Sequence, residues 1–214
     1  MELKGKKINF LGDSITEGVG TSAPDKTYHA LLKANVGLAE ARNYGKSGTK
    51  IARLPVISDN PFDKDFNLRA PQMDKDADVV VVFGGTNDYG HGTIPLGRFD
   101  NQDIETFYGG MHNLCQYLIK EYLGKTIVFM TPIHRMEEKA FDWSEKSSDF
   151  VCYVRAIREV CEYYSIPVLD MYKESGMHGN VQAWCDVYMP DGLHPNDLGH
   201  AIMAHKLQKF LENL

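Results

Sequence analysis

The chain has 214 residues, 43% of them hydrophobic and 11% aromatic, and carries a net charge of −6. That length and apolar content suit one α/β domain with a sizeable core, because single cores grow to roughly 250 residues before dividing. No basic cluster offers a nucleic-acid footprint, the acidic balance disfavours a polyanionic substrate, and no apolar run approaches the ~20 residues of a membrane helix.

The segment Met1–Lys7 lacks the apolar centre of a signal peptide, so a cytoplasmic protein is expected. A first strand is predicted over 7–11, and it runs into Gly12-Asp13-Ser14-Ile15-Thr16-Glu17-Gly18. A helix near 27–36 and a strand over 40–44 follow, leading into Asn43-Tyr44-Gly45-Lys46-Ser47-Gly48. The segment 52–77 holds Pro55, Pro61, Pro71 and several aspartates and reads as a long loop. Val79-Val80-Val81-Val82-Phe83 is apolar throughout, as expected of a strand covered on both faces, and ends in Gly84-Gly85-Thr86-Asn87-Asp88. After a loop over 89–103 come a helix near 104–123, a strand over 126–130 and a helix near 149–164. In that helix Phe150, Val151, Val154, Ile157, Val160 and Cys161 recur near helical spacing. A strand over 166–170 and a loop over 171–190 lead to Asp191-Gly192-Leu193-His194-Pro195. A last helix is predicted near 196–213, with Pro195 close to its first turn.

Alternating strands and helices predict a parallel sheet with helices on both faces. Ligands of such sheets sit outside the carboxyl ends of the strands. Ser14, Gly48 and Asn87 each follow a strand, so they are expected on one rim. The three long loops are expected at or near that rim, selecting the substrate.

Serine hydrolysis needs a hydroxyl nucleophile, a base, and an acid that orients the base. Ser14, His194 and Asp191 supply these types. Acyl transfer also needs donors fixed where the carbonyl oxygen becomes charged; the Ser14 and Gly48 N–H groups and the Asn87 amide are candidates. Each residue also has a structural reading. Ser14 suits a helix N-cap, Asp191 and His194 a turn and cap, and Asn87 loop backbone. Asp13 and Asp88 are expected to bond loop backbone. The residue before a proline is pushed to extended backbone, so His194 is expected outside the last helix and facing the rim.

Cys115, Cys152, Cys161 and Cys185 form no Cys-x-x-Cys pair. Cys152 and Cys161 would lie roughly 13 Å apart on one helix, beyond disulfide reach, so free buried thiols are expected. The remaining histidines have no metal-ligand spacing, and neither metal nor cofactor is expected.

Taken together, Gly-Asp-Ser-Ile at 12–15, Gly48, Gly-Thr-Asn-Asp at 85–88 and Asp-Gly-Leu-His at 191–194 resemble the four blocks of the SGNH hydrolases, the GDSL lipase/esterase family. Ile15 stands where the family name has Leu. The resemblance implies a three-layer α/β/α fold over 1–214 as one catalytic domain, with a flavodoxin-like five-stranded parallel sheet in the order 2-1-3-4-5. It also implies Ser14 as nucleophile, Asp191 and His194 as acid and base, and Ser14, Gly48 and Asn87 as oxyanion hole. The expected function is a cofactor-free serine esterase removing short acyl groups, O-acetyl on a carbohydrate foremost. It would act on a small-molecule ester without inserting into a membrane, and self-association is left open. A lysophospholipase or thioesterase is the alternative of like chemistry. A nucleotide-binding flavodoxin-like protein is disfavoured by the missing phosphate-loop motifs. An inactive binding module is disfavoured by the intact Ser14, Asp191 and His194.

Overall fold

The computed structural model describes residues 1–91, 94–138 and 149–214. Gly92, part of the 89–103 loop, therefore lies outside the described residues. Five strands form one parallel sheet: β1 (Lys7–Gly12), β2 (Glu40–Gly45), β3 (Val79–Phe83), β4 (Thr126–Met130) and β5 (Val168–Leu169). Their order is β2-β1-β3-β4-β5, as the resemblance implied.

The sheet carries a core on each face because the central strands are apolar on both. Along β3, Val80 and Val82 join one buried cluster, while Val79, Val81 and Phe83 join the other. This is the period-two alternation of a strand with both faces covered. Burying such side chains contributes roughly 1.5–3 kcal/mol each, as an upper estimate.

The helices, in chain order, are α1 (Ser14–Glu17), α2 (Tyr28–Val36), α3 (Phe66–Arg69), α4 (Thr86–Gly90), α5 (Phe107–Glu121), α6 (Phe150–Tyr163), α7 (Met171–Glu174), α8 (Gln182–Tyr188) and α9 (Asp197–Glu212). Helices α2 and α9 pack together on one face, and α5 and α6 on the other. The four long helices fall where their periodicity predicts.

The short ones depart from expectation. The segment 171–190 holds α7 and α8 rather than continuous loop, and 52–77 holds α3. Helix α9 starts after Pro195, because Asn196 caps it by accepting from the Leu198 and Gly199 N–H groups at 3.0 and 3.2 Å. Of the four free cysteines, Cys115, Cys161 and Cys185 are buried, but Cys152 is only half-buried. No helix among the described residues is long and apolar enough to cross a membrane.

Candidate active site

The carboxyl ends of β1, β2 and β3 each release the chain into a glycine-bearing turn. At β1 the turn is Gly12-Asp13-Ser14. Asp13, not Ser14, caps α1, its Oδ1 accepting from the Ile15 N–H at 3.1 Å. This overturns the capping reading of Ser14, which is the first residue of the helix and keeps its side chain free. The Ser14 oxygen faces the Asp191–His194 turn. There the His194 Nδ1–H donates to Asp191 Oδ2 at 2.6 Å, and Nε2 lies 2.9 Å from Ser14 Oγ. A carboxylate only accepts, so Nδ1 carries the proton and Nε2 is left to accept from the serine hydroxyl.

Asp191 is held by its own turn. Its Oδ1 accepts from the Leu193 and His194 backbone N–H groups at 2.9 and 2.7 Å. Burial works to raise its carboxyl, but these bonds and the His194 ring outweigh burial and hold it below the ordinary carboxylate range. His194 stands outside α9, as its place before Pro195 requires.

Asn87 is the second residue of α4 and is 6% exposed. Its amide donates to Thr49 O at 3.0 Å, which fixes the side chain against the turn carrying Gly48 and leaves the second amide hydrogen for a ligand. Gly48 has φ of +71°, a backbone region open to glycine, and the ring of Phe62 lies against its Cβ direction.

The neighbouring aspartates serve the backbone. Asp88 accepts from the Ile51 and Ala52 N–H groups at 3.0 and 2.9 Å, pinning the chain after Gly48 to α4. Burial lifts its carboxyl to about 6, with those N–H groups opposing. Burial lifts Asp13 to about 7, against the pull of the Ile15 N–H and the Arg69 charge. Its Oδ2 has no partner among the described residues.

A family model described as GDSL-like lipase/acylhydrolase matches residues 10–202. The chain belongs to that family. It is an ester-hydrolysing serine hydrolase. Among solved structures, this GDSL-family enzyme is 32% identical to a protein from Lactobacillus plantarum, covering 98% of each chain with a TM-score of 0.84. It shares its fold with the lipase/acylhydrolase from Enterococcus faecalis, at 21% identity, 97% and 96% coverage and TM-score 0.66. It also shares it with the acetylxylan esterase Axe2 from Geobacillus stearothermophilus, at 18% identity, 99% and 96% coverage and TM-score 0.63. No curated protein matches the chain.

Two residues that the sequence did not single out hold the rim of this GDSL enzyme together. Arg69 donates from Nη1 to Tyr44 O at 2.6 Å, and from Nη2 to Gly12 O at 2.9 Å and Thr49 Oγ1 at 2.8 Å. It thereby ties the ends of β1 and β2 to the Gly48 turn. Burial pushes its guanidinium down to about 10, with Asp13, Asp65 and Glu17 opposing. Glu17, in α1, accepts from the Ser47 N–H at 2.6 Å and from its hydroxyl. The loop 52–77 is also less polar than its aspartates suggest, since Val56, Ile57 and Phe62 are exposed.

Proposed function

We propose that this enzyme is a short-chain esterase that removes an acyl group, acetyl foremost, from a hydroxyl of a carbohydrate-like alcohol. The observation that carries the reading is the 2.9 Å approach of His194 Nε2 to Ser14 Oγ. With Asp191 fixing the ring, His194 takes the hydroxyl proton as Ser14 Oγ attacks the ester carbonyl. The Ser14 and Gly48 N–H groups and the free Asn87 amide hydrogen meet the oxyanion. His194 then gives the proton to the leaving alcohol oxygen. Water repeats the cycle on the acyl-enzyme, returning the acid and the free Ser14. No metal or cofactor takes part in these steps.

The short acyl group is supported by the small or polar residues of the turns that would carry the oxyanion donors, Gly48, Thr49, Thr86 and Asn87. One observation favours a second reading, a lipid-directed lysophospholipase or thioesterase: exposed Phe62 against Gly48, with Val56 and Ile57 on the same loop. Measuring kcat/KM across 4-nitrophenyl esters of rising acyl length separates the two. Each methylene in a fitted apolar pocket adds about 0.8 kcal/mol, so a lipid site shows specificity climbing with length. Acetyl or butyryl esters are expected to be best. A maximum at long acyl chains selects the second reading.

A further inference from the structure

Two cations lie against α4, the short helix that carries Asn87. Arg135 donates from Nη1 to Thr86 O at 3.2 Å and Thr86 Oγ1 at 3.1 Å. Its guanidinium sits 5.7 Å from the Tyr89 ring centroid. Gly90 makes room for it, since a Cβ there would stand 2.5 Å from Nη1. The next residue, Met136, donates its N–H to Gly192 O at 2.8 Å, which fastens the arginine's segment to the turn bearing Asp191 and His194. Lys50 directly follows Thr49, the acceptor of the Asn87 amide, and is 8% exposed.

Both charges are felt at the C-terminal end of α4. His91 caps that end and is held below the ordinary imidazole range by burial first, then by the charges of Lys50 and Arg135. Among the described residues neither cation has a carboxylate partner in an ion pair. Arg135 is instead cradled by a neutral carbonyl, a hydroxyl and an aromatic face. Of the nearby carboxylates, Asp88 has its oxygens taken by the Ile51 and Ala52 N–H groups, and Glu138 is engaged by His134 Nδ1, the Arg135 backbone N–H and the Tyr172 hydroxyl. Neither carboxylate is within ion-pair distance of the Arg135 guanidinium or the Lys50 ammonium among the described residues. A half-buried guanidinium with no ion pair among the described residues is costly to keep, and a bound anion would offset that cost.

We propose that Arg135 and Lys50 recognise a single carboxylate carried by the ester substrate. The planar guanidinium fork matches a carboxylate. The chain's overall charge of −6 repels polyanions at long range, so a local, singly charged contact is the form of anion recognition open to it. The carboxylate could sit on the alcohol part or on the acyl part. The proposal rests on the reading of Ser14 as the nucleophile of an esterase.

The test compares kcat/KM within two ester pairs, each differing by one carboxylate. For the alcohol part the pair is 4-acetoxybenzoate and its methyl ester; for the acyl part it is monoethyl and diethyl succinate. The charged member is expected to be preferred by about tenfold or more in one pair, which tells where the carboxylate sits. That preference should shrink in wild type as ionic strength rises from roughly 0.02 to 0.3 M, a readout that needs no variant. Arg135→Gln should collapse the ratio towards one, Lys50→Met should lower it, and Arg135→Lys should keep part of it. Turnover of all four esters with ratios near one overturns this proposal and leaves the Ser14 reading standing. So does an Arg135→Gln variant that slows both members of the preferred pair equally, which would make Arg135 a brace for α4. A wild type that hydrolyses none of the four overturns both.

Discussion

His194 Nε2 stands 2.9 Å from Ser14 Oγ, although 180 positions separate the two residues in the chain. The contact is made from two rigid pieces: a helix start capped by Asp13 and a turn closed by Asp191. Ser14→Ala removes the attacking oxygen and leaves both pieces intact. Turnover should fall by about 10³-fold or more with an unchanged melting temperature. Fluorophosphonate labelling should vanish in the same variant. Retention of more than about a tenth of wild-type turnover would mean that the nucleophile lies elsewhere.

Asn87→Ala should lower kcat by about 10²–10³-fold, the usual loss when one oxyanion donor goes, with a smaller change in KM. It also strips Thr49 O of its partner, so a modest loss of stability should accompany the kinetic effect. Steady-state kinetics on 4-nitrophenyl acetate checks it. A change confined to KM would make Asn87 a binding residue.

Arg69→Met should be costly to the fold. The guanidinium satisfies the carbonyls of Tyr44, Gly12 and Lys64 and the Thr49 hydroxyl. Orphaning several of these together should destabilise by about 3–5 kcal/mol, read from the midpoint of urea unfolding. Arg69→Lys should recover less than half of it, because one ammonium cannot span three strand and turn ends.

Particular residues and elements show what the sequence could and could not disclose. The strand β3 and the helix α6 were legible because burial on a regular element imposes a period on the residues themselves. The positions of Ser14, Gly48 and Asn87 were legible because those family blocks follow strands, and that of the Asp191–His194 turn because His194 precedes Pro195 and is kept out of α9. Arg69 was not, since its partners are largely main-chain carbonyls, which any residue type provides and which leave no pattern. The same holds for α1 and α4, four and five residues long, set by a cap and by tertiary contacts rather than by periodicity. Phe62 was hidden among prolines and aspartates, and only the fold brings its ring to Gly48.

The buried Asp13 predicts a pH effect on stability. Its carboxyl is lifted to about 7 by burial, against about 3.9 in an unfolded chain. Between those values the folded protein holds a proton that the unfolded chain has released. The resulting stability is full below about pH 4 and is lost as pH rises through about 7. Asp13→Asn cannot ionise, so from about pH 5 to pH 8 it should gain on wild type by on the order of 2–3 kcal/mol. His29 and His200, held near 4 by burial, act in the opposite direction below about pH 6.5. Both proteins carry them, so their effect cancels in the difference. Urea unfolding of the pair at the two pH values measures it, and a difference independent of pH would show that Asp13 is ionised throughout.

The distance along the chain between Ser14 and His194 has a consequence for synthesis. A ribosome adding roughly 5–20 residues per second needs about 9–36 s to pass from one to the other. Throughout that interval Ser14 lacks the His194 imidazole that stands beside it in the folded protein, so the emerging polypeptide is expected to be inert towards esters and towards serine-directed acylating agents. Reactivity of Ser14 thus reports that the late segment has docked on the early one. In a translation reaction, covalent labelling should appear only after His194 has left the ribosome, well behind the first appearance of strand and helix signals.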